Sequence, residues 1–210
     1  MAVPPIFLVG AGGHAAACID VIEQQGAFTV AGLTGSSAEV GTQVLGYPVL
    51  GTDELLPDLV ARYGHALVAV GHIKSAEPRT RLFEKLLGMG CRMPVVVSPR
   101  AYVSAHATVG AGTIVMHGAV VNARASVGRN CILNSLSLVE HDAAIADHCH
   151  IATAAAVNGA VTIGAGTFIG SHSTVRQEVR IGERCVIGMG QHVVADCEAG
   201  TWLASGKARA

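Results

Sequence analysis

Four consecutive residues, Val139-Glu-His-Asp142, hold the pairing that proton transfer asks for. A carboxylate beside an imidazole fixes its tautomer and stabilises the cation formed when the ring takes a proton, as a general base requires. Residue type alone leaves two readings open here, a working base or an inert surface histidine among acids. A second stretch, Gly10-Ala-Gly-Gly-His-Ala15, follows the relaxed dinucleotide pattern GxGxxA. Between a strand and a helix, its backbone N–H groups and the helix N-terminus can hold a phosphate. A dinucleotide enzyme also wants an acid about 20 positions on, at the end of its second strand, for the ribose. That place reads Gly32-Leu-Thr-Gly35, which disfavours NAD and leaves a phosphate-bearing ligand such as a nucleotide sugar. The competing reading is a glycine turn needed only for tight strand–helix packing.

Other chemistry is poorly provided for. A metal needs several ligands at one height. His117 and His141 are twenty-four apart, His172 and His192 are twenty apart, and no two histidines are eighteen apart, the stacking interval of the coil inferred below. No metal is expected within one chain, ligands converging from neighbouring chains being the alternative. The six cysteines include no CxxC pair. Cys131, Cys149, Cys185 and Cys197 share one phase of the same coil and read as small core fillers. No cysteine or serine is specially placed beside His141, so direct attack is expected rather than an acyl-enzyme.

The elements that must position these residues are legible as periodicity. From Val97 the chain divides into eighteen sixes, from VSPRAY to AGTWLA, and the first position is Val, Ile or Leu in all but the last. The fifth position is small, and no residue is inserted or lost in this register. Six residues make a short strand and a bend, and three such faces make a triangular coil of eighteen. The first position points inward and stacks on its equivalent one coil away, near the strand spacing of ~4.8 Å. Gly, Asn and Asp at the second to fourth positions accept the bends. Period 2 or 3.5 with turn clusters, as a sandwich or coiled coil would need, is absent.

Residues 1–96 alternate differently. Ile6–Val9 is an apolar strand, His14–Gln25 a helix, Phe28–Leu33 and Ala66–Val70 two further strands, Ser75–Leu87 a helix and Arg92–Val97 a strand. This is a small α/β unit with a mostly parallel sheet, Rossmann-like, with the boundary near 97 beside Pro99. Net charge is −1, which leaves no electrostatic footprint for nucleic acid or an anionic membrane. No apolar run approaches the ~20 residues of a bilayer span. The start lacks the basic and apolar regions of a signal peptide, so a cytoplasmic protein with reduced thiols is expected.

A GAGGHA strand–helix start, a small α/β domain and then hexapeptide coils resemble the sialic-acid O-acetyltransferase family. That family includes the bacterial nucleotide-amino-sugar N-acetyltransferases of the bacillosamine and perosamine type. The specific stretch is Asn134-Ser-Leu-Ser-Leu-Val-Glu-His-Asp142, followed by Asp147-His-Cys-His150. The resemblance implies a left-handed parallel β-helix over residues 97–210, in contrast to the usual right-handed crossover. It implies acetyl-CoA as co-substrate and a homotrimer with active sites between adjacent prisms. By position, His141 matches the family's base, Asp142 its acidic neighbour and His150 a second histidine near the acetyl group. Gly12, Gly13, His14, Gly71 and Asn134 would meet the sugar nucleotide; Gly159, Ser171, Met189 and Gly190 would line the coenzyme A groove. Lys207 would meet coenzyme phosphates or belong to a solvated tail. The expected reaction is acetylation of a UDP- or GDP-linked 4-amino sugar. The alternatives are O-acetylation of a sialic-acid-like sugar, a non-catalytic nucleotide-sugar-binding scaffold and a metal hydratase. Nucleotide-sugar members commonly carry Asp-Asp where this chain has Leu33-Thr34-Gly35, which moves the open question to the acceptor.

Overall fold

The computed structural model of the chain describes residues 3–204. In the N-terminal part, strands β1 (Pro5–Val9), β2 (Thr29–Thr34), β3 (Gln43–Val44), β4 (Tyr47–Gly51) and β5 (Ala66–Val68) form one sheet in the order β3-β4-β2-β1-β5. All neighbours run parallel except the β3–β4 hairpin at the edge. That hairpin, and helix α2 (Leu56–Tyr63), are elements the periodicity does not reveal. The two-residue turn Leu45-Gly46, both at positive φ, makes a hairpin whose first strand, of two residues, is too short to show alternation.

Helix α1 (Gly13–Gln25) starts at the glycine loop and stops at Gly26, whose left-handed conformation lets its N–H reach Ile22 O. It is sandwiched. Ile19 and Ile22 pack with Ile6 and Leu8 of β1, and the same cluster takes in Val96, Ile114 and Ile132 of the C-terminal part. Helices α2 and α3 (Glu77–Gly88) cover the opposite face, where Leu56, Leu59, Phe83 and Leu86 pack on Phe7 and Val9.

From Val96 the chain winds as a left-handed parallel β-helix of two-residue strands in three sheets. Face one carries Ile114–Val115, Ile132–Leu133, His150–Ile151 and Phe168–Ile169. Face two carries Val120–Val121, Leu138–Val139 and Ala156–Val157; face three carries Ser126–Val127, Ala144–Ile145 and Thr162–Ile163. Up to the last coil, each first position stacks eighteen residues on, as Val121 over Val139 over Val157, and all three are wholly buried. The bend falls at the fourth position. Every fourth position from Gly112 to Gly190 has a positive φ, and most of these residues are not glycine. A left-handed L-residue costs about 1–2 kcal/mol, a strain the ladders on either side hold in place. Cys131 and Cys149 fill the core as expected, each thiol donating to a carbonyl one coil on, Ala146 O and Gly164 O, at 3.2 Å.

Two expectations are corrected. Only Val96–Val97 of the strand expected at Arg92–Val97 is extended, and it pairs with Ile114–Val115 of the prism rather than with the α/β sheet. Pro94, without an N–H, ends the approach of Arg92 to the first sheet after a single bridge to His65. The unbroken register also fails in the last coil. Val175 pairs with Val193 at the regular interval, but Ile181 pairs with Cys197 and Ile187 with Leu203, two residues early. Cys197 therefore takes an inward first position rather than the fifth, and Ala199 is exposed. Asp196 fills the shortened corner, its Oδ1 accepting from Arg180 N at 2.8 Å. Lys207 lies outside the described residues.

Candidate active site

His141 sits on the corner between faces two and three. Asp142, in the left-handed bend at φ 61°, turns its carboxylate back onto the ring, with Oδ2 2.7 Å from His141 Nδ1. A carboxylate can only accept, so Nδ1 carries the proton and Nε2 keeps its lone pair. Glu140 Oε2 accepts from His141 N at 3.0 Å, which fixes the backbone instead of the ring.

One residue of this group escaped the sequence reading. Arg124 lies one coil above, and its guanidinium grips Asp142 in a fork, Nε to Oδ1 at 2.6 Å and Nη2 to Oδ2 at 2.8 Å. The Arg124 bonds, then the His141 bond, hold the Asp142 carboxyl far below the usual carboxylate range. The available signal was the eighteen-residue interval from Arg124 to Asp142, which places an arginine directly over the acid. One coil below, Gly159 makes room. A Cβ there would meet His141 Cε1 at 2.8 Å and Nε2 at 2.9 Å. The ring overlies a cleft of about 560 Å³ lined by Asn158, Gly159, Ala160, Gln177 and Glu178.

A second group gathers where the α/β part meets face one. Gly10 to His14 and Val70–Gly71 line a cleft of about 450 Å³ at the carboxyl ends of β1, β2 and β5. A contiguous cleft of about 440 Å³ is lined by His14, Gly71, His72, Asn134 and His150. Gly12 and Gly13 start α1, and a Cβ on either would meet nothing within 4 Å, so no side chain covers the helix N-terminus where it lines the cleft. Asn134 Nδ2 lies 3.3 Å from His150 Nε2, and His150 Nδ1 lies 2.8 Å from His72 O. His150 Nδ1 must therefore donate, and its Nε2 is an acceptor. An oxyanion role for His150, which needs an N–H aimed at the reacting centre, does not fit this tautomer.

The histidines of this group are neutral. Burial first, then the nearby Arg79 charge, lowers His14 to about 3. Burial and then His150 and Arg79 lower His72 to about 3, and burial lowers His150 to about 4. His72, with Phe168 and His150 packed edge to face around it, is a lining residue the sequence reading passed over.

Within one chain the expected site residues fall into two sets. His141, Asp142 and Gly159 share the corner after face two. Ser171, Met189 and Gly190 lie on the corner after face one, where Gly190 N donates to Ser171 O at 2.9 Å, below Asn134. Exposed apolar side chains, Leu136 and Met189, run along that second corner, with Ile73 exposed nearby.

Two family models match the chain: the PglD N-terminal domain over residues 5–86 and the bacterial transferase hexapeptide (six repeats) over residues 160–190. Among solved structures, perosamine N-acetyltransferase from Caulobacter crescentus, a histidine-to-asparagine mutant in complex with CoA and GDP-perosamine, is 30% identical. That match covers 99% of this chain and 97% of that one, with a TM-score of 0.90. The acetyltransferase domain of PglB from Neisseria gonorrhoeae, in complex with acetyl coenzyme A, is 28% identical over 99% of each chain, with a TM-score of 0.89. WeeI from Acinetobacter baumannii shares the fold at 22% identity, covering 97% of this chain and 98% of that one, with a TM-score of 0.83. No curated protein sequence matches the chain.

Proposed function

This chain belongs to the hexapeptide-repeat family of bacterial nucleotide-amino-sugar N-acetyltransferases, and from that membership we propose that it moves acetyl from acetyl-CoA to the amine of a nucleotide-linked 4-amino sugar, with His141 as general base. The observation that carries the reading is the Arg124–Asp142–His141 chain, which leaves Nε2 of an exposed imidazole free to accept a proton beside a cleft kept open by Gly159. The relatives solved with CoA, acetyl coenzyme A and GDP-perosamine support the donor and the class of acceptor.

The step is direct. The acceptor nitrogen attacks the thioester carbonyl carbon while His141 Nε2 takes a proton from it. A tetrahedral oxyanion forms against a backbone N–H of the coil. It collapses with cleavage of the carbon–sulfur bond, and the thiolate leaves as the free thiol after taking the proton back from His141. Amide and thiol are the products, and no covalent enzyme intermediate is involved.

The same geometry supports an active site shared between protomers. The base and the acceptor cleft lie on different corners of one prism, so a site that uses both draws His141 from one protomer and Gly12, Gly13, His14, Gly71 and Asn134 from its neighbour. The exposed Ile73, Leu136 and Met189 fit a covered corner, and a closed ring of three prisms supplies one such junction per chain. Coenzyme A then lies along the junction, between Gly159 of one prism and Ser171, Met189, Gly190 and His150 of the next.

The test is thiol release measured across UDP-, GDP- and deoxythymidine-diphosphate-linked amino sugars and a free nonulosonate. Turnover confined to a nucleotide-linked amine is expected. Turnover only with the free nonulosonate would make the enzyme an O-acetyltransferase, and failure to bind acetyl-CoA would leave a scaffold. Arg124 acts through Asp142 as a positioning residue. Arg124→Ala is expected to lower kcat about tenfold, about 1.4 kcal/mol of barrier, with both KM values unchanged. A change in KM alone would assign it to binding.

A further inference from the structure

The glycine-loop cleft lacks an acid at the end of its second strand in the sequence, yet two carboxylates line it. Asp53 opens a 3-10 turn, Asp53–Leu55, that follows β4. Because β4 pairs directly with β2, with Gly51 opposite Thr34, the chain leaving β4 is delivered to the end of β2. There Thr34, the last residue of β2 and wholly buried, donates its hydroxyl to Asp53 Oδ1 at 3.1 Å. Glu39 reaches the same place from the loop after β2. Its Oε2 accepts from Ser36 N at 2.8 Å and from the Ser36 hydroxyl at 2.7 Å. A Cβ on Gly35 would meet Glu39 Oε2 at 3.0 Å and Ala11 Cβ at 3.1 Å, so one glycine separates this carboxylate from the phosphate loop.

The chemistry of the cleft then divides. Backbone N–H groups at the start of α1, with no acidic residue in its first turn, suit the diphosphate. Among the described residues no lysine or arginine lines the cleft, so the carboxylates are not committed to an ion pair inside it. Each keeps one oxygen that no described residue engages. A carboxylate beside a diphosphate site repels more phosphate but accepts from hydroxyls. The group next to a nucleotide's diphosphate that offers hydroxyl donors is the pentose. Ribose offers two adjacent hydroxyls, and 2′-deoxyribose offers one.

We propose that Asp53 and Glu39 read the ribose hydroxyls of the acceptor's nucleotide, and that the acceptor is a ribonucleoside diphosphate sugar rather than a deoxythymidine diphosphate sugar. This rests on the nucleotide-sugar reading above. It also explains how the site dispenses with an acid at residue 34 or 35, since strand pairing brings one in from residue 53.

Calorimetric titration of GDP and UDP against dGDP and dUDP tests it on the intact protein. Wild type is expected to bind each ribonucleotide about tenfold to a hundredfold more tightly than its deoxy counterpart, the scale of a hydrogen bond to a charged group. Alanine in place of the carboxylate that meets the 2′-hydroxyl, Glu39 or Asp53, narrows the ratio, and the double variant E39A/D53A abolishes it, with coenzyme A binding retained to show that the variant is folded. Equal wild-type affinity for the two sugars overturns the proposal, and so does a preference that survives in the double variant. Binding of neither nucleotide overturns the nucleotide-sugar reading itself. The wild-type ratio needs no variant, so the proposal stays testable if a substitution prevents folding.

Discussion

His141→Ala is expected to lower acetyl transfer by about 10²–10⁴-fold, the usual worth of a positioned general base, while acetyl-CoA and acceptor still bind. The loss falls on kcat because the imidazole contributes most while the amine proton is in flight, and little to ground-state binding. Its ring lies over Gly159 and is tied by one bond, to Asp142. Removing it therefore leaves the corner, built from backbone ladders, intact. Asn in its place has nearly the same reach but no titratable nitrogen, so His141→Asn should lose as much as His141→Ala. Rate and binding must be measured separately, thiol release for the first and calorimetry with coenzyme A for the second. Near-wild-type turnover with coenzyme A bound would remove His141 from the mechanism.

That prediction stands on parts of the sequence that differ in how openly they show their structure. The prism is legible because one inward Val, Ile or Leu per six residues is both the pattern and the physical cause of the coil. The last coil is not, because the stretch after Val193 keeps the composition of the repeat while dropping two residues, and it takes the pairing of Cys197 with Ile181 and of Leu203 with Ile187 to reveal it. His141 and Asp142 are neighbours in sequence, so their bond could be anticipated. Arg124 stands one storey from Asp142, but the repeat does not say that its side chain turns to the acid, and Asp53 required knowing that β4, a strand without a periodic signature, pairs with β2. The separation of His141 from His150 is the subtlest case. They are nine residues apart, one and a half sixes, and that interval carries the chain past a corner onto another face of the prism.

Nothing in the sequence singles out Arg79, and its removal is expected to have the largest effect on stability. It is wholly buried in the first turn of α3, with no carboxylate partner among the described residues. Its Nε donates to Asn130 O at 3.1 Å, and its Nη1 donates to Val70 O at 3.0 Å and also to Val68 O. One cation thus ties the end of β5 to a corner of the prism, across the junction that forms the cleft lined by His14, Gly71 and His150. Burial draws it down only to about 10, so it stays charged at neutral pH. Arg79→Met strands three carbonyls at about 1–3 kcal/mol each, partly offset by no longer burying a charge, a net loss of a few kcal/mol. The pH dependence separates this from simple loss of packing. His14, His72 and His150 are neutral in the fold, at about 3, 3 and 4, and titrate near 6.5 when unfolded. The unfolded chain therefore binds more protons between those limits, and stability falls as pH drops below 6.5, by about 1–2 kcal/mol per histidine between pH 7 and 5. Without the Arg79 charge the folded histidines protonate more readily, so this acid loss is smaller. Arg79→Met should be the less stable protein at pH 7 by urea unfolding, with the gap to wild type closing towards pH 4. Arg79→Lys keeps the charge but not the planar fork, and should be destabilised with the wild-type acid slope. Parallel curves for wild type and Arg79→Met would mean that the arginine holds the junction by its bonds alone, and that the neutrality of the cleft histidines owes nothing to its charge.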